Sequence, residues 1–444
     1  MSNKHRRHAA FIFLLALVLP GITAVTSSAQ KATKLDIEHW REVLRAAKRE
    51  LKQNYYDPTF HGIDIEARFK LADEKMKKAE SMAQLASIVA QVLLELNDTH
   101  TFFIPPDDGS GVEYGWRLKP VGPDSYVGAV KPRSDAEAKG LRAGDKVLSI
   151  NGRSLDRNGV WLSNYLSYTM QPQETMTLVI QKPDQTQQTL VIRADVSKTI
   201  GDRRYARPFV TDLKRPTGYR LNRHQFYELS DDVMIWKMPH FFLDEYELAD
   251  KFGKLKKRKA LILDLRGNSR GLRETLPHFA GYFFDSNIKL ADRRGRKDLA
   301  PIVAKSKKEK TFKGRLIVLI DGESASAAEI FAHAVQFHKR GVVIGDRSAG
   351  SVMEGKLYPM QVGIMREMPY AISVTNADVI MPDGARLERV GVVPDRSVLL
   401  TAQDMRMSHD PVLAHAASLV GIELDAKKAG GLFPTEWTRK RGPG

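Results

Sequence analysis

The chain contains no cysteine. That excludes disulfides, a thiolate nucleophile, cysteine-based metal sites and a lipid-attachment cysteine. No HExxH pattern and no acid-rich calcium loop is present, so no metal site is expected. Nor is there a Walker loop or a strand-borne GxGxxG, which disfavours nucleotide-dependent chemistry, and no cofactor is expected. Acids are in short supply: 53 Asp and Glu stand against 69 Lys and Arg, for a formal net charge of +16. The excess is concentrated in "KLKKRKA" (254–260), "RRGR" (293–296) and "KSKKEKTFK" (305–313). These runs have almost no aromatics to stack on bases, which argues against a nucleic-acid partner. A solvated face, or attraction to an anionic cell envelope, fits better. Past residue 30 no stretch approaches the ~20 apolar residues of a membrane span.

What is present begins with a leader. "MSNKHRRH" is basic, "AAFIFLLALVLPGITAV" is apolar, and "TSSAQ" offers Ser27 and Ala29 at the −3 and −1 positions of a cleavage site. Residues 1–29 therefore read as a signal peptide. The expectation is an exported protein, periplasmic or extracellular, without a membrane span after cleavage. Loss of Lys4, Arg6 and Arg7 would bring the charge to +13, sixteen minus three.

The remaining 415 residues (444 minus 29) are too many for one ordinary core. Residues 30–110 read as a helical region: Ile37, Trp40, Val43, Leu44, Ala47 and Leu51 share one face, and Ser81 caps a second helix. "NDTHTFFIPPDDGSG" then reads as a loop. Residues 111–197 read as a small β-rich module, with strands at 125–130 and 146–150, a short helix at 134–139, and a hairpin around "KPDQTQ". Residues 198–222 read as a basic linker at the start of an α/β core spanning 198–408. There, 231–238, 259–267, "RLIVLI" (315–320), 341–345, 369–376 and 391–400 read as strands. "LRETLPHFAGYFF" reads as a helix that Pro277 kinks or starts late. Strand–helix–strand alternation implies right-handed βαβ crossovers and a largely parallel sheet. Residues 409–444 are left as a C-terminal tail.

One stretch of this core carries potential chemistry. In "DGESASAAEI" (321–330), Ser326 precedes a helix, and Glu329 stands three residues later, at capping-box spacing. The same position suits a nucleophile, because a helix N-terminus presents N–H groups and favours negative charge. An oxyanion forming beside Ser326 could be held by the Ala327 N–H. The Gly-rich turn "DLRGNSRG" (264–271) ends a buried strand and could add the N–H of Arg270 or Gly271. A serine also needs a base. His333 and His338 lie too far down the helix, and His100 in "NDTHT" is a loop histidine.

"ALILDLRGNSRG", "GRLIVLIDGESASAAEIFAHAVQFHKRGVVIGDRSAG" and "LERVGVVPD", in this order, resemble the carboxyl-terminal processing (tail-specific) serine proteases and their tricorn-type relatives. The resemblance covers about 35 to 405. It implies an α/β core of ClpP/crotonase-like βαβ units, with an inserted PDZ-like domain at 111–197 and a helical N-terminal region. Ser326 maps to the family nucleophile. Ala327, Gly271 and Arg270 map to the oxyanion hole, with Arg270 standing where the family has glycine. Processing proteases commonly take a lysine base from a "GKG" turn. Here that position is Ser351, and Lys356 comes five residues later. The tricorn-type branch instead implies His100 as base and Glu388 as its support, with Ser351 as a relay. The PDZ resemblance implies that backbone N–H groups of "EYGWRLKP", around Tyr114, Gly115, Trp116 and Arg117, hold a peptide carboxylate. Trp116 could equally be a core residue. The implied function is a serine endopeptidase acting on unstructured or C-terminal peptide segments, with homo-oligomerisation left open. The alternative is a peptide-binding scaffold on an inactive protease core.

Overall fold

The computed structural model describes residues 31–106, 110–198, 223–360, 370–433 and 437. The leader and all but the first residue of the basic linker lie outside the described residues.

The centre is a six-stranded sheet in the order Gln225–Glu228, Val233–Lys237, Ala260–Asp264, Arg315–Ile320, Val342–Gly345, Arg396–Ser397. The first pair is antiparallel and the rest are parallel. Its four inner strands are mostly apolar because both faces are covered, whereas the edge strands Gln225–Glu228 and Arg396–Ser397 are polar. Met234, Trp236, Leu261 and Leu263 point into a core with Phe279 and Phe331. The alternate residues Ile235, Ile262, Ile317 and Ile344 point to the opposite face, where the helix Pro411–Leu419 packs through Val412, Leu413 and Ala416.

A second sheet joins distant parts of the chain. Tyr370–Ile380 pairs with Phe102–Ile104, with Ile288–Arg294 and with Met353–Met360, and Ile288–Arg294 pairs with Asp298–Ala304. The helices Lys34–Asn54, Ile65–Met76 and Met82–Leu94 cover this sheet through Trp40, Leu44, Leu51, Phe69 and Leu93. Ile37 is only half-buried at that face, and Ser81 caps its helix as expected.

The β-rich module has its own core around Trp116, Val127, Val147 and Leu178. Its entry strand Ser110–Glu113 pairs with its exit strand Asp195–Lys198, so the module leaves and rejoins the chain at one neck.

Three expectations needed correction, and the late start at Pro277 was met. The strand at 391–400 shrinks to Arg396–Ser397. Pro394 offers no N–H there, and the Asp395 carboxylate takes the Val343 N–H (2.8 Å) in place of a backbone partner. The helix around Pro277 covers only Thr275–Ala280 and starts late, where proline needs no donor partner. The supposed loop after Asn97 contains the strand Phe102–Ile104. Finally, part of the supposed tail is a covering layer of the core, with helices at Pro411–Leu419 and Ala426–Gly431.

Candidate active site

The strand Arg315–Ile320 ends in a turn whose polar groups are nearly all engaged. Ser324 is fully buried. Its hydroxyl donates to the Leu265 carbonyl (2.9 Å) and accepts from the Asp321 N–H (3.0 Å). The Ala325 N–H donates to the Asn268 carbonyl (2.9 Å), and the Gly267 N–H donates to Asp321 Oδ1 (2.9 Å). The turn 264–271 and the serine loop are therefore one hydrogen-bonded unit. Ser324 is consumed as structure, whereas Ser326 is half-buried and its side chain makes no capping hydrogen bond.

Ser326 has φ 57° and ψ −116°, a conformation that non-glycine residues avoid at a cost of about 1–3 kcal/mol. Its N–H donates to the Ser351 carbonyl (3.0 Å) and to Glu329 Oε2 (3.0 Å). Only the return half of the expected capping box thus forms through side chains, because the Glu329 N–H donates to the Ser326 carbonyl (3.0 Å).

Glu329 was read from sequence only as the far residue of a capping box, but it ties the site together. It is fully buried, and its carboxylate also accepts from Ser348 Oγ (2.5 Å), the Gly350 N–H (2.7 Å) and the Ser351 N–H (2.9 Å). Burial pushes its carboxyl up to about 7, opposed by these four donors.

The 97–101 segment approaches from the other side. Asp98 is buried and accepts from the N–H groups of His100 (2.9 Å) and Thr101 (2.6 Å), from Thr375 Oγ1 (2.7 Å) and from the Tyr55 hydroxyl (3.0 Å). Thr99 Oγ1 has three partners: Ser351 Oγ donates to it (2.9 Å), it donates to Glu388 Oε2 (3.1 Å), and His100 Nδ1 lies 2.8 Å away. Glu388 also accepts from the N–H groups of Thr99 (2.9 Å) and Val352 (2.8 Å). With Glu388 ionised, proton counting assigns the imidazole. Thr99 has one proton, and Glu388 takes it. The Thr99 oxygen then accepts from Ser351 and from His100 Nδ1–H. Neutral His100 therefore keeps its proton on Nδ1 and leaves the Nε2 lone pair free. Burial lowers the His100 pKa below its ordinary value, with Asp98 pulling the other way, so the ring is neutral at pH 7. Burial raises Glu388. Gly355 leaves space beside the ring, since a Cβ there would sit 3.0 Å from His100 Cβ. No hydrogen bond joins His100 to the Ser326 hydroxyl; the two are linked through Ser351.

Residues 232–398 match Peptidase family S41, and residues 37–71 match the Tricorn protease C1 domain. The chain carries an S41 peptidase domain. It is 26% identical over 384 residues to a chloroplastic C-terminal processing peptidase of Tetradesmus obliquus, covering 81% of this chain and 76% of that one. It is 23% identical over 332 residues to the chloroplastic carboxyl-terminal-processing peptidase 1 of Arabidopsis thaliana, covering 71% and 63%. The crystal structure of mature CPAF superposes with a TM-score of 0.63 at 15% identity, over 84% of this chain and 95% of that one, which shows a shared fold.

Within the S41 domain, the N–H groups of Ala327 and Gly271 have no hydrogen-bond partner among the described residues. Gly271 packs so closely that a Cβ would lie 2.2 Å from Phe241 Cβ. The Arg270 carbonyl accepts from the Phe241 N–H (2.9 Å), holding this stretch as a short bridge. Lys356 is exposed on the strand Met353–Met360, its ammonium over the Tyr358 ring at 5.5 Å. Its neighbour Gly355 is the residue that faces His100, so the alternation of a strand turns Lys356 away from it.

The β-rich module touches both loops of the S41 domain. Lys119 Nζ bonds Asp321 (2.8 Å) and Glu323 (3.3 Å), and Arg157 bonds Asp346 (2.7 Å) and the Ser348 carbonyl (3.3 Å). A cavity of about 240 Å³ lies beside these pairs, lined in part by Lys119, Lys237, Arg266 and Phe433. In the "EYGWRLKP" segment, the side chains of Tyr114 and Trp116 are buried in the module core. The Gly115 N–H donates to Glu113 Oε1 (3.0 Å), and Arg117 forks onto both Glu113 oxygens at 2.8 Å. Arg117 also lies over the Trp437 ring, 4.6 Å from its centroid. Among the described residues, no three acidic or histidine side chains gather into a metal-binding set.

Proposed function

We propose that this chain is an exported serine endopeptidase that hydrolyses peptide bonds through an acyl-enzyme on Ser326. The observation that carries this reading is the hydroxyl chain from Glu388 through Thr99 to His100 Nδ1, whose branch through Ser351 reaches the Ser326 backbone. His100 Nε2 takes the Ser326 proton as Oγ attacks the scissile carbonyl, and the tetrahedral oxyanion is met by the Ala327 and Gly271 N–H groups. The imidazolium then protonates the leaving amine. Water, deprotonated by the same ring, releases the acyl group. Glu388 stabilises the imidazolium through the Thr99 hydroxyl. The reading requires His100 and Ser326 to come into hydrogen-bond contact when substrate binds.

The β-rich module binds the substrate chain in the manner of a PDZ domain. A peptide carboxylate would exchange for the Glu113 carboxylate now on the Gly115 N–H and Arg117, and the peptide would extend the edge strand Trp116–Val121. Unfolded or C-terminal segments suit both steps.

The test is cleavage of an unfolded protein by the purified mature chain and its Ser326→Ala, His100→Ala and Lys356→Ala variants. The expectation is activity in the parent and in Lys356→Ala, and none above background in the other two. Full activity of Ser326→Ala would overturn the nucleophile, and selective loss in Lys356→Ala would overturn the base. Inactivity of every form, with binding of peptide C-termini retained, would favour the scaffold reading.

A further inference from the structure

The parallel strands of the central sheet all run one way, so the sheet has two chemically different edges. The Ser326 loop, the 264–271 turn and the 346–351 loop follow the strands' C-terminal ends. The segments 254–259, 305–315 and 339–340 gather at the N-terminal ends, because they lead into the strands that begin at Ala260, Arg315 and Val342. Pairing sets them side by side. Ala260 lies opposite Arg315 and Ile317 opposite Val342; the Arg315 N–H donates to the Lys259 carbonyl (2.7 Å), and Arg340 donates to the carbonyls of Phe312 (2.6 Å) and Gly314 (3.0 Å). Three runs separated in sequence become one surface.

These segments contain thirteen lysines and arginines. Lys254, Arg258, Lys259 and Lys313 have acidic partners, and Arg340 is spent on carbonyls. The other eight, thirteen minus five, have no ion pair among the described residues; Lys256, Lys257, Lys308 and Lys310 are exposed. Six acids share this edge: Glu228, Asp231, Asp232, Asp250, Asp285 and Glu309. The surplus is seven charges, thirteen minus six, of the chain's +16. The apolar side chains within the runs, Leu255 and Phe312, are buried. The surface therefore offers mainly cations; the exposed rings at its rim, Tyr227 and Phe337, stand singly.

We propose that this edge docks electrostatically on an anionic lipid bilayer. Lysine-rich clusters gain attraction near such a surface without needing an inserted residue. Nucleic acid is disfavoured because the three basic segments themselves expose no ring on which successive bases could stack. The strands are five or six residues long and rise ~3.3 Å per residue. Docking by this edge holds the Ser326 loop roughly 20 Å from the bilayer, facing away from it. The surface acts independently of the peptidase chemistry.

The test is flotation of the purified mature chain with vesicles of phosphatidylcholine alone or containing phosphatidylglycerol, at low and high salt. Binding only to the anionic vesicles, reversed by salt, is expected. The combined Lys256→Glu, Lys257→Glu, Lys308→Glu and Lys310→Glu variant should bind at least about 100-fold more weakly while keeping its circular dichroism spectrum and proteolytic rate in solution. A control variant with Lys70→Glu, Lys75→Glu, Lys78→Glu and Lys427→Glu should lose far less. Equal loss in both variants would reduce the effect to net charge and overturn the proposal. No binding to anionic vesicles, or displacement from them by duplex DNA at equal phosphate concentration, would also overturn it.

Discussion

The two loops that meet at the candidate site are held in opposite ways. The serine loop is held within the central sheet and its turns: Ser324 bonds back to Asp321 three residues away and to the Leu265 carbonyl 59 positions away, and the Ser326 N–H bonds the Ser351 carbonyl. The histidine loop depends on partners far along the chain. Thr99 reaches Glu388 across 289 positions, and Asp98 reaches Thr375 across 277. The proposed nucleophile is thus placed once the central sheet and its turns have formed, whereas the proposed base is placed only when the helical region, the second sheet and the 387–392 loop have assembled as well. Activity should be lost through the base side before the serine side when the fold loosens.

The contrast can be broken most sharply at the serine. Ser326→Ala should lower peptide hydrolysis by at least about 10⁴-fold and abolish labelling by a serine-reactive phosphonate, with little change in Tm. Glu329→Ala should come next. It strands three donors, the Ser348 hydroxyl and the Gly350 and Ser351 N–H groups, around one lost carboxylate and should cost about 3–5 kcal/mol in urea unfolding, with loss of activity. On the histidine side the effects should be smaller and graded. Thr99→Val removes the hydroxyl that joins Glu388 to His100 and should lower kcat about 10–100-fold, with Thr99→Ser restoring most of it. Failure of Thr99→Ser to rescue would reduce Thr99 to a packing role. The smallest effect should come from the β-rich module. Glu113→Gln weakens the carboxylate that now sits on Gly115 and Arg117, and should tighten binding of a short peptide with a free C-terminus a few-fold, read by fluorescence anisotropy.

The same contrast explains what could be read from sequence. Ser326 and Ala327 stood out because an apolar strand, small residues and a helical period follow one another within a dozen positions. Trp40, Leu44 and Leu51 were readable from their spacing. Thr99 was not, since a hydroxyl bridging two side chains has no period and no spacing rule. Glu388 came into view only through a family resemblance, which also lifted His100 above an ordinary loop histidine, and the strand Phe102–Ile104 finds its partner some 270 residues away. The helix Pro411–Leu419 was overlooked despite a readable signal: Asp410 caps it and Pro411 begins it.

The central claim is that a half-buried, neutral histidine rather than a lysine takes the Ser326 proton. The most direct measurement is the pH dependence of kcat/KM, which reports the base of the free enzyme. Burial lowers His100 from its ordinary 6.5, so the base stays deprotonated as pH falls through 7 and is lost only when pH passes below the depressed value. The account predicts an acid limb below 6.5 that is unchanged in Lys356→Ala. An acid limb at or above about 7.5, the range of an activated lysine, would contradict it.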